Sequence, residues 1–302
     1  MKKITLLFIL TLMFGFCFRA LAQQDPVYAQ YMNNPLVLNP AYAGSNNMLN
    51  AGIQYRTQWA GIESNPVTVN ASSHLSVIQN KVGIGLSVIQ DQIGDTKNTE
   101  FNSIYSYKIK FSKANLSFGM QTGLIRYTID PARLTIRDSG DPSFNSFTET
   151  KFNLGAGLLL KSDHYIIGLS VPRLLPATVS QGGQSIQLYD RNYYLYGAYA
   201  LFLSDKLRLK PSVLLRAAKD VPLSADINAS VVMHDSYTAG IFTRNFKTYG
   251  LLVQAMIKNF RLGYVFELPG NSESSLHFVS HEFTIGIATG VFTYHDQVAK
   301  IF

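Results

Sequence analysis

The sequence is poor in cysteine, in tryptophan and in charge, and beyond its first two dozen residues it has no long apolar run. Cys17 is the only cysteine among 302 residues. It lies inside the N-terminal apolar stretch, so the rest of the chain has no disulfide, thiolate metal site or thiol nucleophile. A membrane-crossing helix needs about 20 consecutive apolar residues, and none follows the leader. Charged residues make up 15% of the chain, and no Lys/Arg cluster tracks one helix or loop, which argues against nucleic acid as a partner. No Pro-, Gly- or Ser-rich linker divides the sequence, so one large domain fits it better than two.

Present instead are segments of about ten residues in which apolar and polar side chains alternate. In residues 50–59, Ala51, Ile53, Tyr55 and Trp59 share one parity, while Asn50, Gln54, Arg56 and Gln58 share the other. Successive side chains of a strand point to opposite faces, so one face is greasy and the other wet. Fourteen such strands begin near residues 50, 67, 82, 100, 115, 152, 165, 192, 207, 223, 236, 248, 260 and 281. Arg56, Glu100, Lys108, Arg208, Lys210, Arg216, Asp226, Arg244, Arg261, Glu267 and Glu282 fall on the wet parity. Arg126 and Lys247 do not, but both are placed at strand ends, where a long side chain reaches water. This spacing predicts an all-β fold, a transmembrane outer-membrane β-barrel of about 14 antiparallel strands.

Connection lengths support a barrel. Those after even-numbered strands are short and rich in turn formers, whereas the long ones, 130–151, 172–191 and 269–280, all follow odd-numbered strands. Outer-membrane barrels show this asymmetry, with short periplasmic turns and longer outer loops. Tyr55, Trp59, Tyr107, Tyr165, Tyr237, Tyr249 and Phe260 stand near strand ends, suited to the headgroup level. A soluble sandwich would also alternate, with its aromatic residues in a core. A mean hydropathy of +0.07 does not discriminate, because wet and greasy positions cancel.

The first residues read as a secretory signal peptide: Lys2 and Lys3, an apolar run over 4–18, and Ala20, Leu21 and Ala22 as a small-x-small cleavage site. Cleavage after Ala22 would leave Gln23 first and, by removing Lys2, Lys3 and Arg19, lower the net charge from +7 to +4. The division read from the sequence is a signal peptide over 1–22, an N-terminal periplasmic or plug segment over 23–47, and a barrel over 48–302. The middle segment cannot be a central strand, because Pro26, Pro35 and Pro40 remove backbone donors. Its Tyr28, Tyr31, Leu36, Leu38 and Tyr42 give it apolar surface to bury, so it is expected under or inside the barrel on the periplasmic side, with a face for a partner as the sharper reading.

Chemistry-bearing patterns are thin. His277 and His281 lack the intervening Glu of a zincin. Ser72 and His74 share a wet face that Asp226 or Glu282 would complete as a triad, but there is no nucleophile elbow. Asp138 and Asp141 lack the spacing of a calcium loop. Glycines at 83, 85, 119, 123, 155, 157, 168, 240, 263 and 286 fall on the wet parity. Wall curvature ranks ahead of a closely approaching peptide as their cause. No enzyme activity, cofactor or metal is indicated.

The run Gln30, Tyr31, Asn33, Asn34, Pro35, Leu38, Asn39, Pro40, Ala41 and Gly44, followed by Tyr55, Arg56, Gln58 and Trp59, resembles the opening of the PorP/SprF family of Bacteroidetes type IX secretion and gliding-motility membrane proteins. Weaker matches follow at Leu116, Gly119, Gln121, Gly123, Leu134, Gly157, Gly168 and Ser280 to Glu282. The resemblance implies a non-catalytic outer-membrane barrel that assists secretion or surface attachment of a large exported, adhesin-like protein. The partners it implies are type IX secretion components, including a periplasmic peptidoglycan-binding lipoprotein, the exported surface protein itself, and outer-membrane lipid. In these terms Asn33, Asn34, Pro35, Asn39, Pro40, Tyr42 and Gly44 are partner-binding or plug residues, and Tyr55, Arg56, Gln58 and Trp59 belong to a structural first strand. Family chains usually stop near the Ser-His-Glu strand, whereas this one runs on from Ala288 to Phe302, so the last strand is also readable as extending through Val291 and Tyr294. The alternative function is a passive channel for hydrophobic small molecules of the fatty-acid-transporter kind, against which the charged wet face argues.

Overall fold

The structure is a computed structural model that describes residues 29–32, 34–130, 146–181, 184–270 and 278–296. Its strands in chain order are β1 (Leu49–Thr57), β2 (Val67–Val77), β3 (Val82–Ile93), β4 (Thr96–Lys110), β5 (Asn115–Ile129), β6 (Phe147–Lys161), β7 (Tyr165–Val171), β8 (Ala177–Gln181), β9 (Gln184–Tyr189), β10 (Asn192–Tyr199), β11 (Leu201–Ser204), β12 (Leu207–Ala218), β13 (Val221–Met233), β14 (Tyr237–Arg244), β15 (Thr248–Ile257), β16 (Phe260–Pro269) and β17 (Ser280–Thr289). Each wall strand pairs antiparallel with its chain neighbour. β1 also pairs with β17, from Leu49↔Thr289 to Thr57↔His281, and β10 bridges β7 and β12, so the sheet has no open seam. β11 continues the β10 wall beyond Ala200, and β8 and β9 form a separate hairpin. The result is a closed fourteen-stranded antiparallel barrel.

Burial runs opposite to that of a soluble protein. Large apolar side chains such as Leu251 (57% exposed), Ile241 (62%) and Ile285 (63%) point outward, while Gln54, Asn70, Asn102, Asn153, Asn228 and Glu282 are buried inside. A sandwich in water would invert this. Closure also satisfies the outer backbone, since hydrocarbon offers no partner to a strand edge.

Several boundaries differ from the sequence reading. β6 starts at Phe147 rather than near 152, because residues 147–151 pair with Ile125–Ile129 of β5. β4 likewise starts at Thr96. A 15-residue strand spans roughly 50 Å, well beyond a hydrocarbon band about 25 Å tall even when tilted. Its outer part therefore keeps the backbone ladder without needing apolar side chains, and hydrophobic alternation cannot mark it. The connection 172–191 contains the β8–β9 hairpin. β1 stops at Thr57, so Gln58 and Trp59 lie past it; Trp59 adopts φ 53°, and Gln58 N donates to Pro66 O. β17 stops at Thr289 rather than running through Val291 and Tyr294. The chain then folds back, with the His295 ring against Ser76 O at 2.8 Å and Asn80 Nδ2 donating to Tyr294 O at 2.7 Å.

The connections at 78–81, 111–114, 162–164, 205–206, 234–236 and 258–259 lie at the same end as Leu49 and Thr289, here the turn end. In the reversal 234–236, His234 and Asp235, with φ 52° and 55°, take the left-handed conformation that matches strand twist. All the longer connections lie at the opposite, loop end, although those at 94–95 and 219–220 there are short too.

The outward face predicts depth-dependent sensitivity to charge. Ile285, opposite Ile53 and Leu262, sits mid-strand, so Ile285→Arg is expected to destabilise the barrel in vesicles by about 2–4 kcal/mol, and Ile257→Arg at a strand end by about 0–1 kcal/mol. Equilibrium denaturant titration in bilayers reads the difference, and equal costs would contradict a lipid-facing surface.

Candidate functional site

The barrel interior is built around residues 29–48. Three short 3-10 turns, Gln30–Met32, Pro35–Val37 and Pro40–Tyr42, compact this stretch. Pro35 and Pro40 each occupy a first helical position, where a missing N–H costs nothing. Asn39 caps the last turn by accepting from Ala41 N at 2.9 Å. Tyr31, Leu36, Ala41, Tyr42 and Ala43 are buried. They join an apolar cluster with inward residues of the wall, including Leu159, Ile166, Tyr196, Phe242 and Val265, and Tyr31 meets Tyr196 edge-on at 5.9 Å.

Glycines make room for it. A Cβ on Gly119 would overlap the backbone of Pro40 and Ala41, one on Gly83 the Ala43 carbonyl, and one on Gly157 the Asn39 side chain. Close approach of another backbone therefore explains Gly83 and Gly119, and close approach of the Asn39 side chain explains Gly157, where the sequence reading ranked curvature first. At Gly85 and Gly286 the nearest atoms belong to adjacent strands, as curvature requires. Gly44 itself has φ +65° and lies on Gly83, so a side chain there is excluded by both conformation and space.

Polar ties run the length of the segment. Near the loop end, Ala29 N donates to Glu282 Oε2 at 2.9 Å. Farther down, Asn34 Nδ2 donates to Ser72 Oγ at 3.2 Å, Ser170 Oγ to Leu38 O at 2.7 Å, and Asn39 Nδ2 to Leu158 O at 2.8 Å. At the turn end, Gly44 N donates to His74 Nδ1 at 3.1 Å, Lys108 Nζ to Gly44 O at 3.1 Å and Lys161 Nζ to Ser45 O at 3.0 Å. Glu282 stands opposite Arg56, one residue from the end of β1. The stretch therefore crosses the lumen from the loop half to the turn end.

Above it lies a charge network. Arg56, 2% exposed, reaches Glu267 at 2.6 Å and Glu282 at 3.1 Å, and Arg244 reaches Asp226 at 3.0 Å and Glu267 at 3.6 Å. Arg173, in the connection after β7, pairs with Glu100 at 2.6 Å and stacks on Tyr189 at 4.4 Å. Beside it Pro172 O accepts from Gln121 and Asn153, both at 3.0 Å, so this connection dips into the mouth.

Of the residues singled out from the sequence, Asn34, Pro35, Asn39, Pro40, Tyr42 and Gly44 all meet inside the lumen, and Arg56 joins them through Glu282. Tyr55 faces outward, Gln58 and Trp59 lie beyond β1, and Asn33 and His277 fall outside the described residues. Ser72, His74, Asp226 and Glu282 do not assemble as a triad. Ser72 is engaged by Asn34, His74 by Gly44, Asp226 by Arg244 and Glu282 by Arg56 and Ala29. His281 instead contacts Tyr264 Oη at 2.8 Å. Lys108, Lys161 and Arg173 were not singled out as contacts. The first two carried only their inward parity as a signal, and Arg173 lies in a connection without periodicity.

Gly119→Val is expected to leave the barrel intact and to expel residues 40–41, which limited proteolysis of the purified protein detects as new cleavage within 34–47; continued protection would refute this seating. Arg56→Ala removes the nearest cation from two buried carboxylates, Glu267 and Glu282, and is expected to cost about 3–5 kcal/mol, with Trp59→Ala costing less; refolding yields compare the two.

The chain matches the family described as type IX secretion system membrane protein PorP/SprF over residues 20–287. No curated protein matches it significantly. Among solved structures it is similar to the CymD monoaromatic hydrocarbon channel, with 12% identity over 91% of this chain and 96% of that one and a TM-score of 0.52. It is also similar to a deltaS2S3 mutant of the TodX monoaromatic hydrocarbon channel, with 11% identity, 85% and 93% coverage and a TM-score of 0.50. Omp33, an outer membrane protein of Acinetobacter baumannii, aligns with 9% identity, 80% and 97% coverage and a TM-score of 0.47. At these identities the likeness concerns the barrel fold alone. Sequence match and inverted burial agree: this fourteen-stranded outer-membrane-type barrel belongs to the PorP/SprF family of type IX secretion system membrane proteins.

Proposed function

We propose that the protein is a non-catalytic attachment and assembly component, a barrel closed by its own N-terminal segment that helps the type IX machinery secrete a large adhesin-like protein or hold it at the cell surface. The observation that carries this reading is the lumen filled by residues 34–47, through main-chain contacts to wall glycines and lysines. A conduit needs a continuous path, and here residues 34–47 stand in it; the cavities beside the segment have room for about 30 Å³ near Leu36 and 20 Å³ near Asn50, with about 180 Å³ at the turn end beside Ser45, Asn46 and Asn47. In this reading, cleavage after Ala22 produces the mature chain. The turn end faces the periplasm and receives the peptidoglycan-binding lipoprotein, while the connections 130–146, 172–191 and 270–279 face outward and hold the exported partner. Asn33, Asn34, Pro35, Asn39, Pro40, Tyr42 and Gly44 act as the plug that keeps the barrel sealed while cargo is attached.

A hydrocarbon channel is the competing assignment. Arg56, Arg244, Asp226, Glu267 and Glu282 would line its path, and an apolar solute gains nothing from buried ion pairs. The fold it shares with hydrocarbon channels does not decide cargo.

Replacing residues 33–44 with a Gly/Ser stretch in the chromosomal gene tests the proposal. Heat-modifiable gel mobility is expected to persist, single-channel conductance to rise, and the exported protein to disappear from the surface. Normal surface display with an opened lumen would refute the role of the segment. Outer-membrane co-purification that recovers bound lipid and no type IX component would favour the channel.

A further inference from the structure

Past Thr289 the chain leaves the sheet and turns back across the turn end, where residues 291–296 hold two places at once. The first is the end of β2 with its turn into β3. His295 is 5% exposed and uses both ring nitrogens: Val291 N donates to Nδ1 at 3.2 Å, and Nε2 lies 2.8 Å from Ser76 O. A carbonyl only accepts, so a neutral ring with its proton on Nε2 satisfies both contacts and the other tautomer satisfies neither. Asn80 donates through Nδ2 to Tyr294 O at 2.7 Å and accepts from Ser76 Oγ at 2.5 Å. Phe292 and Tyr294 meet the His295 ring edge-on at 4.9 and 5.1 Å, which fixes its plane.

The second place is Asn47, where the inserted segment runs into β1. Asp296 N donates to Asn47 O at 3.1 Å and Asn47 Nδ2 to Asp296 Oδ2 at 3.4 Å, while from the wall Lys108 Nζ donates to Asn47 Oδ1 at 2.6 Å. Asn47 has φ 53°, and only Met48 separates it from β1. The segment is joined to the wall covalently through this point alone, so it is the pivot about which residues 29–46 would swing out. Strain marks the first place as well. Ile78, Gln79 and Asn80 take φ 50°, 54° and 62° in succession, and a β-branched residue keeps such a backbone only where its surroundings over-determine it. The tail supplies that support through Asn80 and Ser76. We propose that residues 291–296 form a clasp that locks the Asn47 pivot to the β2–β3 turn and so keeps the inserted segment in the lumen. With the clasp released, Asn47 loses its ties to Asp296 and keeps those to Lys108 and Gly44, so the segment loosens first at its turn end. The inference takes only the seat of the segment, so the secretion role and the clasp fail independently.

The test is amide hydrogen exchange, read by mass spectrometry, on the purified protein in detergent. The full chain is compared with one that ends at Gly290 and with His295→Phe, which keeps the ring packing and loses both nitrogen contacts. Amides of residues 43–48 are expected to exchange about tenfold faster in both variants, the change that loss of one or two hydrogen bonds gives, while those of β4 and β5 keep their wild-type rates. Brief openings in single-channel recordings should accompany the faster exchange. Unchanged exchange over 43–48 in variants that still show heat-modifiable mobility overturns the proposal. Equal acceleration in every strand overturns it too, because that marks a general loss of stability; should the shortened chain fail to fold, His295→Phe alone decides.

Discussion

A strand whose outer face touches hydrocarbon can bond its backbone only to the next strand, and that constraint organises the molecule. It forces the sheet to close, so that β1 meets β17 and β10 meets both β7 and β12. Closure creates an interior that receives every polar side chain the outer face rejects. Fourteen strands enclose more volume than those side chains fill. The remaining space is taken by a piece of the same chain.

How that piece is held follows from its composition. Prolines at 35 and 40 stop it from adding to the sheet; its turns take up the Pro35, Asn39 and Pro40 carbonyls internally, and those of Leu38, Ala43, Gly44 and Ser45 accept from wall side chains. Lys108 and Lys161 meet carbonyls at the turn end, and Glu282 meets an N–H near the loop end. Wall cations and carboxylates thus satisfy the segment at opposite ends of the lumen. Tyr31, Leu36 and Tyr42 fill the apolar side, where dispersion and exclusion of water add to the polar ties. Arg56 links this arrangement to barrel closure, because its partner Glu282 lies across the β1–β17 seam and also accepts from Ala29. Buried charges are tolerable when each has a close partner, and the pairs here reach 2.6 Å.

Much of the barrel was legible because alternation and lipid exposure are the same physical signal. Ile53, Tyr55 and Ile285 lie outward, and Arg56, Lys108 and Glu267 inward, as their parity required. Where strands leave the hydrocarbon the signal stops, which is why Phe147 to Lys151 and Thr96 to Thr99 were read as connections although their backbones are paired. Trp59 continued the pattern in sequence but lies past the strand, since its left-handed backbone ends the ladder. Glycine was visible on the wet parity, but parity does not distinguish a bend from a neighbour.

The sequence by itself determined the strand count, the sidedness of each strand and the exclusion of residues 34–42 from the sheet, because all three rest on local chemistry: alternation, charge phase and proline's missing donor. Only the tertiary structure decided that Gly83, Gly119 and Gly157 lie under Ala43, Ala41 and Asn39, that Arg173 reaches Glu100 from a connection without periodicity, and that Ala29 rises to Glu282. Those contacts join residues tens to hundreds of positions apart, and their geometry exists only once the sheet has closed.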